Sequence, residues 1–313
     1  MAVQDSDEKL WLSVSEKLEQ DEALDRAFYA TGVLLAEDDF NAEQRYHRGR
    51  LARALAYLHG TGTVAGLEVE YQPKTPAAGG NPAKDEMISI KPGLAIDRVG
   101  RLVELRTERC LRLERWYESQ KPDQLVSARH AGFTIKSYDK TTCAVTEVTQ
   151  DGVVVDVFLN FEACERGKTP AFAQGPFDAL NAVQPNRLRD GADVNMVLRK
   201  EATPPLPKDL WPDLESIADP VARKCSLQQV IFSAWDHNSN EDPQNPQPPG
   251  EHVKGTDATA IFLARILIPA APPPANGERP TRLFPPASSA VIIDNHSRLF
   301  AYTARALAKR IGL

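Results

Sequence analysis

Apolar positions at helical spacing open the chain. Leu10, Trp11, Val14 and Leu18 fall on one face of an amphipathic helix over 8–24. Tyr29-Ala30-Thr31-Gly32 breaks that pattern. A second helix is predicted from about Ala36 to His59. Its first turn holds Glu37, Asp38 and Asp39, where carboxylates suit the positive end of the helix dipole. Phe40, His47, Leu51, Leu55 and Leu58 mark its expected buried face. Arg45, Arg48, Arg50 and Arg53 surround that face, and Gly60 and Gly62 end the helix.

The period then shortens to strand alternation. Val64, Leu67, Val69 and Tyr71 start it, and a Pro/Gly/Lys loop covers 73–85. Ile88 and Ile90 alternate, Pro92-Gly93 interrupts, and Leu94 and Ile96 resume. Asp97-Arg98-Val99-Gly100 reads as a turn before Leu102, Val103 and Leu105. Residues 143–149 and 153–161 read as a hairpin around Asp151-Gly152, and Val153 to Leu159 is apolar enough for a central strand. Most of the 24 prolines follow Phe161, between Pro204 and Pro286. In that region Leu210 to Lys224 reads as a short helix interrupted at Pro220. Val230-Ile231-Phe232 and Ile261 to Ile268 read as strands, Gln244 to Gly250 and Ala270 to Asn276 as loops, and Asn295 to Leu313 as a helix with a basic end. No solenoid repeat is present in the sequence.

These elements predict an α+β fold: an N-terminal helical pair packed on a mainly antiparallel β domain, with a Pro-rich irregular C-terminal region. The expected divisions are 1–60 (helical), 61–165 (β domain) and 166–313 (Pro-rich, with further strands and a C-terminal helix). A 42% hydrophobic and 26% charged composition suits a folded chain. A net charge of -6 gives no general attraction to phosphate, so no nucleic-acid partner is expected. No apolar run approaches the roughly 20 residues that span a bilayer, so no membrane insertion is expected. Met1 to Lys9 is acidic and lacks the features of a secretory signal. The expected location is therefore the cytoplasm, or outside the cell after release by lysis. Cys110, Cys143, Cys164 and Cys225 form no C-x-x-C pair, and Cys110 and Cys164 read as small buried hydrophobes.

Candidate chemistry is sparse. Gly60, Gly62 and Gly66 follow a helix and precede a strand, the reverse of the order a dinucleotide fingerprint requires. They read instead as a sharp passage from helix to sheet. Asp236, Asn238 and Asn240 carry the D-x-N-x-N opening of a calcium loop and are the candidate metal ligands. Glu241 stands where that loop needs glycine, and Gln247 where it needs glutamate. His47 and His59 lie about three helical turns apart, too far to share a metal ion. There is no G-x-S-x-G, H-E-x-x-H or P-loop, and acid pairs carry little signal among 43 acids. No catalytic residue and no cofactor is assigned. Arg298 to Arg310 could meet an acidic partner or simply suit a helix C-terminus.

Three blocks together resemble a known family. The first holds Tyr29, Thr31-Gly32, Leu34-Leu35, Asp39-Phe40, Glu43-Gln44 and Tyr46-His47. The second runs from Leu58-His59-Gly60 through Gly62, Val64 and Gly66 to Leu67-Glu68-Val69. The third is Pro92-Gly93, Ala95, Asp97 and Gly100-Arg101, and looser echoes include Asp294-Asn295 with Arg298. The set is similar to uncharacterised bacterial proteins associated with extracellular contractile injection systems and phage-tail-like particles. Members often carry a cysteine-rich middle segment, which 165–184 lacks.

The resemblance implies a baseplate, fibre or accessory structural component that assembles with other subunits, copies of the same chain included. Phe40, His47, His59, Gly60, Gly62, Gly66, Pro92, Gly93, Asp97 and Gly100 would build its rigid corner. Two rival expectations are a cargo or toxin hydrolase loaded into such a particle, and a carbohydrate- or surface-binding module using Trp116-Tyr117 or Trp235.

Overall fold

The computed structural model describes residues 26–77, 82–142, 144–170, 183–184, 186–208, 216–239, 250–253, 255–274, 277–284, 290–304 and 306–307. Side chains of 183–184 and 233–239 are outside that description, and so is the helix expected over 8–24. The fold is α+β, with antiparallel pairing in every sheet.

Helix α1 (Glu37–His59) matches the expected span, and Asp39 Oδ2 accepts the Ala36 N–H at 2.7 Å to close its first turn. Six short strands follow: β1 (Gly62–Gly66), β2 (Val69–Gln72), β3 (Met87–Ile90), β4 (Gly93–Ile96), β5 (Leu102–Leu105) and β6 (Arg109–Arg112). They form two small sheets, ordered β1-β4-β5 and β2-β3-β6. Two short helices come next, α2 (Leu113–Ser119) and α3 (Pro122–Ala128), the second opened by a proline whose missing N–H costs nothing there. Then come β7 (Arg129–Tyr138) and β8 (Val145–Arg166), the paired β9 (Thr169–Pro170) and β10 (Val183–Gln184), and β11 (Arg187–Leu198). Helix α4 (Pro220–Ser239), β12 (Ile261–Pro269) and β13 (Ile292–Asp294) complete the order.

The 22-residue β8 organises the largest sheet. It runs straight through Asp151-Gly152, where a hairpin was expected. Gly152 does not turn; it lets β12 approach, since a Cβ there would lie 2.5 Å from the Ile268 carbonyl oxygen. Strand β12 pairs with Gly152–Leu159 of β8, while β7 (against 145–153) and β11 (against 155–166) follow one another along the opposite edge. Val153–Leu159 is buried throughout, and so is all of β12, as continuous apolar runs in central strands should be. One core joins Leu67, Ile88, Val103, Leu113 and Leu125 to Val155, Leu159, Leu263 and Ile266, so it runs across residue 165.

Several local expectations fail. Val230-Ile231-Phe232 is helical, because the helix starts at Pro220 rather than breaking there: Asp219 caps it, accepting the Val221 and Ala222 N–H groups at 3.2 and 3.0 Å. Strand β11 pairs with β8 along its whole length in a region expected to be irregular. Asn295 to Thr303 is not helical; it turns and bridges to β1, with helix only from 304. Cys110, Cys164 and Cys225 are free and exposed, because Cys110 lies on the outward side of an edge strand and Cys164 beyond the buried stretch of β8. Cys143 lies outside the described residues. No helix among the described residues is long and apolar enough to cross a membrane.

Candidate functional site

Gly62, Gly66, Pro92, Gly93, Asp97 and Gly100 of the second and third sequence blocks, with Asp294, Asn295 and Arg298, meet at one corner around β1 and β4. Close backbone approach explains those four glycines, whereas Gly32 and Gly60, both at positive φ, have no heavy atom within 4 Å of where a Cβ would stand. Gly66 (φ 64°) pairs with Gly93, and a Cβ on Gly66 would lie 2.1 Å from the Pro92 carbonyl oxygen, one on Gly93 2.2 Å from that of Ala65. Leu67 follows in the left-handed region (φ 57°), with its side chain wholly buried. Asp97 Oδ1 accepts the Val99 and Arg101 N–H groups at 3.1 and 2.8 Å, and its Oδ2 accepts Arg101 Nε at 2.6 Å. Arg101 in turn donates to Thr259 Oγ1 at 2.8 Å, tying the turn to the segment before β12. Gly100 (φ 87°) lies under the Ala52 carbonyl of α1, 1.8 Å from where a Cβ would stand, which seats the helix on the β4–β5 turn. Burial raises the Asp97 carboxyl from its ordinary value, opposed by the charge and hydrogen bonds of Arg101.

The C-terminal segment closes the corner. Asn295 pairs with both backbone groups of Val69, at 2.9 and 2.8 Å. Buried Arg298 donates to the Leu67 carbonyl at 2.8 Å, and Thr63 N–H donates to the Leu299 carbonyl at 2.9 Å. Burial pushes the Arg298 pKa down to about 10, which leaves it charged at neutral pH. Gly62 (φ 138°) faces the Leu299 carbonyl. Arg298 therefore fastens this chain to itself rather than meeting an acidic partner, and Lys309 and Arg310 lie outside the described residues.

One expectation about α1 is overturned. Phe40, His47, Leu51 and Leu58 face solvent, as does His59, and Leu55 is half-buried. Ala52 is the one fully buried residue of the helix, flanked by half-buried Gly49 and Ala56. The small side chains let α1 lie close to the turn at Gly100, and the large ones are left outside. Tyr29 OH bonds Glu43, holding the preceding segment near the helix. In that segment Phe28 is 83% and Leu34 94% exposed, and Leu58 of α1 is 77% exposed. Helix α4 likewise exposes Val221, Ile231 and Phe232.

Charged side chains are used internally. Asp156 of β8 and Arg265 of β12 are register partners, bonded at 2.7 and 2.9 Å, and Arg199 Nη1 adds a contact to Asp156 at 3.2 Å. Arg265 also holds the carbonyls of Pro204 and Pro205 at 2.8 and 2.9 Å, anchoring the start of the Pro-rich region. Glu86 takes Arg282 and the Tyr71 hydroxyl, the latter at 2.7 Å. Sequence reading missed this set, yet for Asp156 and Arg265 a signal existed: the apolar runs Val153–Leu159 and Ile261–Pro269 each carry a single charge, of opposite sign. His252 is buried beside Glu251 and Phe158, its Nε2 2.9 Å from the Ala260 carbonyl oxygen, and burial lowers its pKa.

Asp236 and Asn238 lie in the last turn of α4 and Asn240 outside the described residues, so helical backbone occupies the start of the expected calcium loop. Among the described residues no group of three or more His, Cys, Asp or Glu is placed to hold a metal ion. Tyr117 is buried, its hydroxyl donating to the Pro280 carbonyl at 2.9 Å, and Trp116 is half-buried against the main core, so this pair is no exposed aromatic platform. No protein-family model matches the chain, and no curated protein matches it.

Proposed function

We propose that the chain is a structural or docking subunit of a phage-tail-like contractile injection particle, acting by protein–protein contact after assembly in the cytoplasm. One observation carries this reading: the arm from Phe28 to Leu58 is held by a glycine-locked corner and turns its large apolar side chains outward. Exposed apolar area of this kind marks contact surfaces. The two longest sequence blocks of the family resemblance fall on this arm and its exit into β1, which supports the same reading.

Native particles purified from cells expressing a tagged chain supply the test. The chain should co-sediment with sheath-bearing particles, and Leu34→Glu should abolish co-sedimentation without altering the thermal midpoint. Particles that assemble complete and contract normally without the chain, with all of it left in the supernatant, would refute the assignment.

A further inference from the structure

We propose that α1 pairs antiparallel with the α1 of a second copy of this chain, through a seam of Phe40, Gln44, His47, Leu51, Ala54 and Leu58. These positions follow one another at alternating steps of four and three, the spacing that keeps one stripe facing a partner helix. All of them are exposed in the protomer. The face turned to the body is the opposite one, Gly49, Ala52 and Ala56. The seam is therefore turned away from the body, His47 meeting among the described residues only its own helix neighbours Glu43 and Tyr46, and its periodicity is that of a helix-to-helix contact.

Charge selects both the occupant and its direction. The first turn of α1 is acidic (Glu37, Asp38, Asp39), and Arg45, Arg48, Arg50 and Arg53 follow, with Glu43 the one acid after that turn. Parallel pairing would bring two acidic first turns side by side, which is unfavourable. Antiparallel pairing carries each acidic turn toward the arginines of the other copy and opposes the helix dipoles.

Registers differ as well. With Phe40 opposite Leu51 of the second copy and Gln44 opposite its His47, the flanking positions set Glu43 beside Arg50, twice by symmetry. Slid by one heptad, with Phe40 opposite Leu58, Arg50 would meet the Arg50 of the other copy. The first register is therefore the favoured one. In it Ala54 lies opposite the other copy's first turn, and Leu58 runs toward its exposed Val33 and Leu34. The pairing rests on the contact role of the arm and is independent of membership in any particle.

Sedimentation velocity on the full chain over a range of concentrations tests it. The chain should form a dimer in the micromolar range. Leu51→Glu, which places a charge in the seam, should weaken the dimer by at least about 100-fold. Its far-UV circular dichroism and thermal midpoint should hold, because Leu51 is exposed in the protomer. Glu43→Arg and Arg50→Glu should each weaken pairing by about tenfold, and the double variant should recover it.

A chain that stays monomeric at about 100 μM would overturn the proposal. So would a dimer indifferent to Leu51→Glu, or recovery by Glu43→Arg with Arg48→Glu in place of Arg50→Glu, which would mean a parallel pair. A monomer whose Leu51→Glu variant loses thermal stability assigns the seam to another segment of the same chain, and also overturns it. Particle co-sedimentation is scored separately, so either reading can fail while the other stands.

Discussion

Gly66 and Gly32 both have positive φ, but only Gly66 faces backbone within 4 Å. Gly66→Ala should destabilise the chain by about 2–4 kcal/mol, through strain and displacement of Pro92. Gly32→Ala, which meets open space, should cost about 1 kcal/mol. Urea denaturation of the two variants separates a steric role from a merely conformational one. Glu70 gives a second contrast. The hydrogen bond from Lys140 holds its carboxyl below the ordinary range, opposed by partial burial and aided by Lys91 at 3.2 Å. Its contribution is present above pH 4.5, the ordinary value, and is lost as pH falls through the lower folded pKa. Lys91 and Lys140 are raised by their glutamate hydrogen bonds, so their share lasts until pH rises past the ordinary lysine value. Solvent screening keeps the effect small. Glu70→Gln should lower stability by under about 1 kcal/mol at neutral pH, and the gap should close in acid. Thermal melts across that pH range measure it.

Elements show where local signals were sufficient and where they were overridden. Helix α1 was legible because its acidic first turn and terminal glycines mark its ends. Strands β3, β4, β5 and β12 were legible from their apolar alternation or continuity. Helix was expected as far as Lys224, but Val230-Ile231-Phe232 was misread because it is a good strand sequence in isolation, whereas Asp219-Pro220 starts a helix that runs through it. Asp219→Ala should therefore cost about 1 kcal/mol and lower hydrogen-exchange protection in the first turns of α4, leaving β12 unchanged. Asp151-Gly152 was misread for a related reason. The dipeptide favours a turn, but a turn there would forfeit the pairing of β8 with β7, β11 and β12 together. The glycine instead serves close approach of β12.

At the scale of the molecule, distant segments are sewn to the corner by polar side chains. Asn295 reaches back to Val69 and Arg298 to Leu67, closing the chain across most of its length. Arg298→Ala should destabilise the whole protein by about 3 kcal/mol, since it leaves the buried Leu67 carbonyl without its donor. Limited proteolysis should then cut first within 295–304 while the β8 sheet stays intact. A variant as stable as the parent would show the closure to be incidental.

Periodicity and composition determined the α+β class, the extent of α1 and the central strands, because burial on two faces leaves an unbroken apolar run and helix ends carry their own chemistry. The glycines and Asp97 of the corner were also legible as backbone requirements. Which face of α1 is covered was not. An apolar stripe records that a partner is wanted, but not whether that partner belongs to the same chain. Only the fold, by seating Ala52 on Gly100, put the small residues inward and left Phe40, Leu51 and Leu58 outside. The match of Asp156 with Arg265 was likewise decided by strand register, which links positions too far apart in sequence for any local pattern to join.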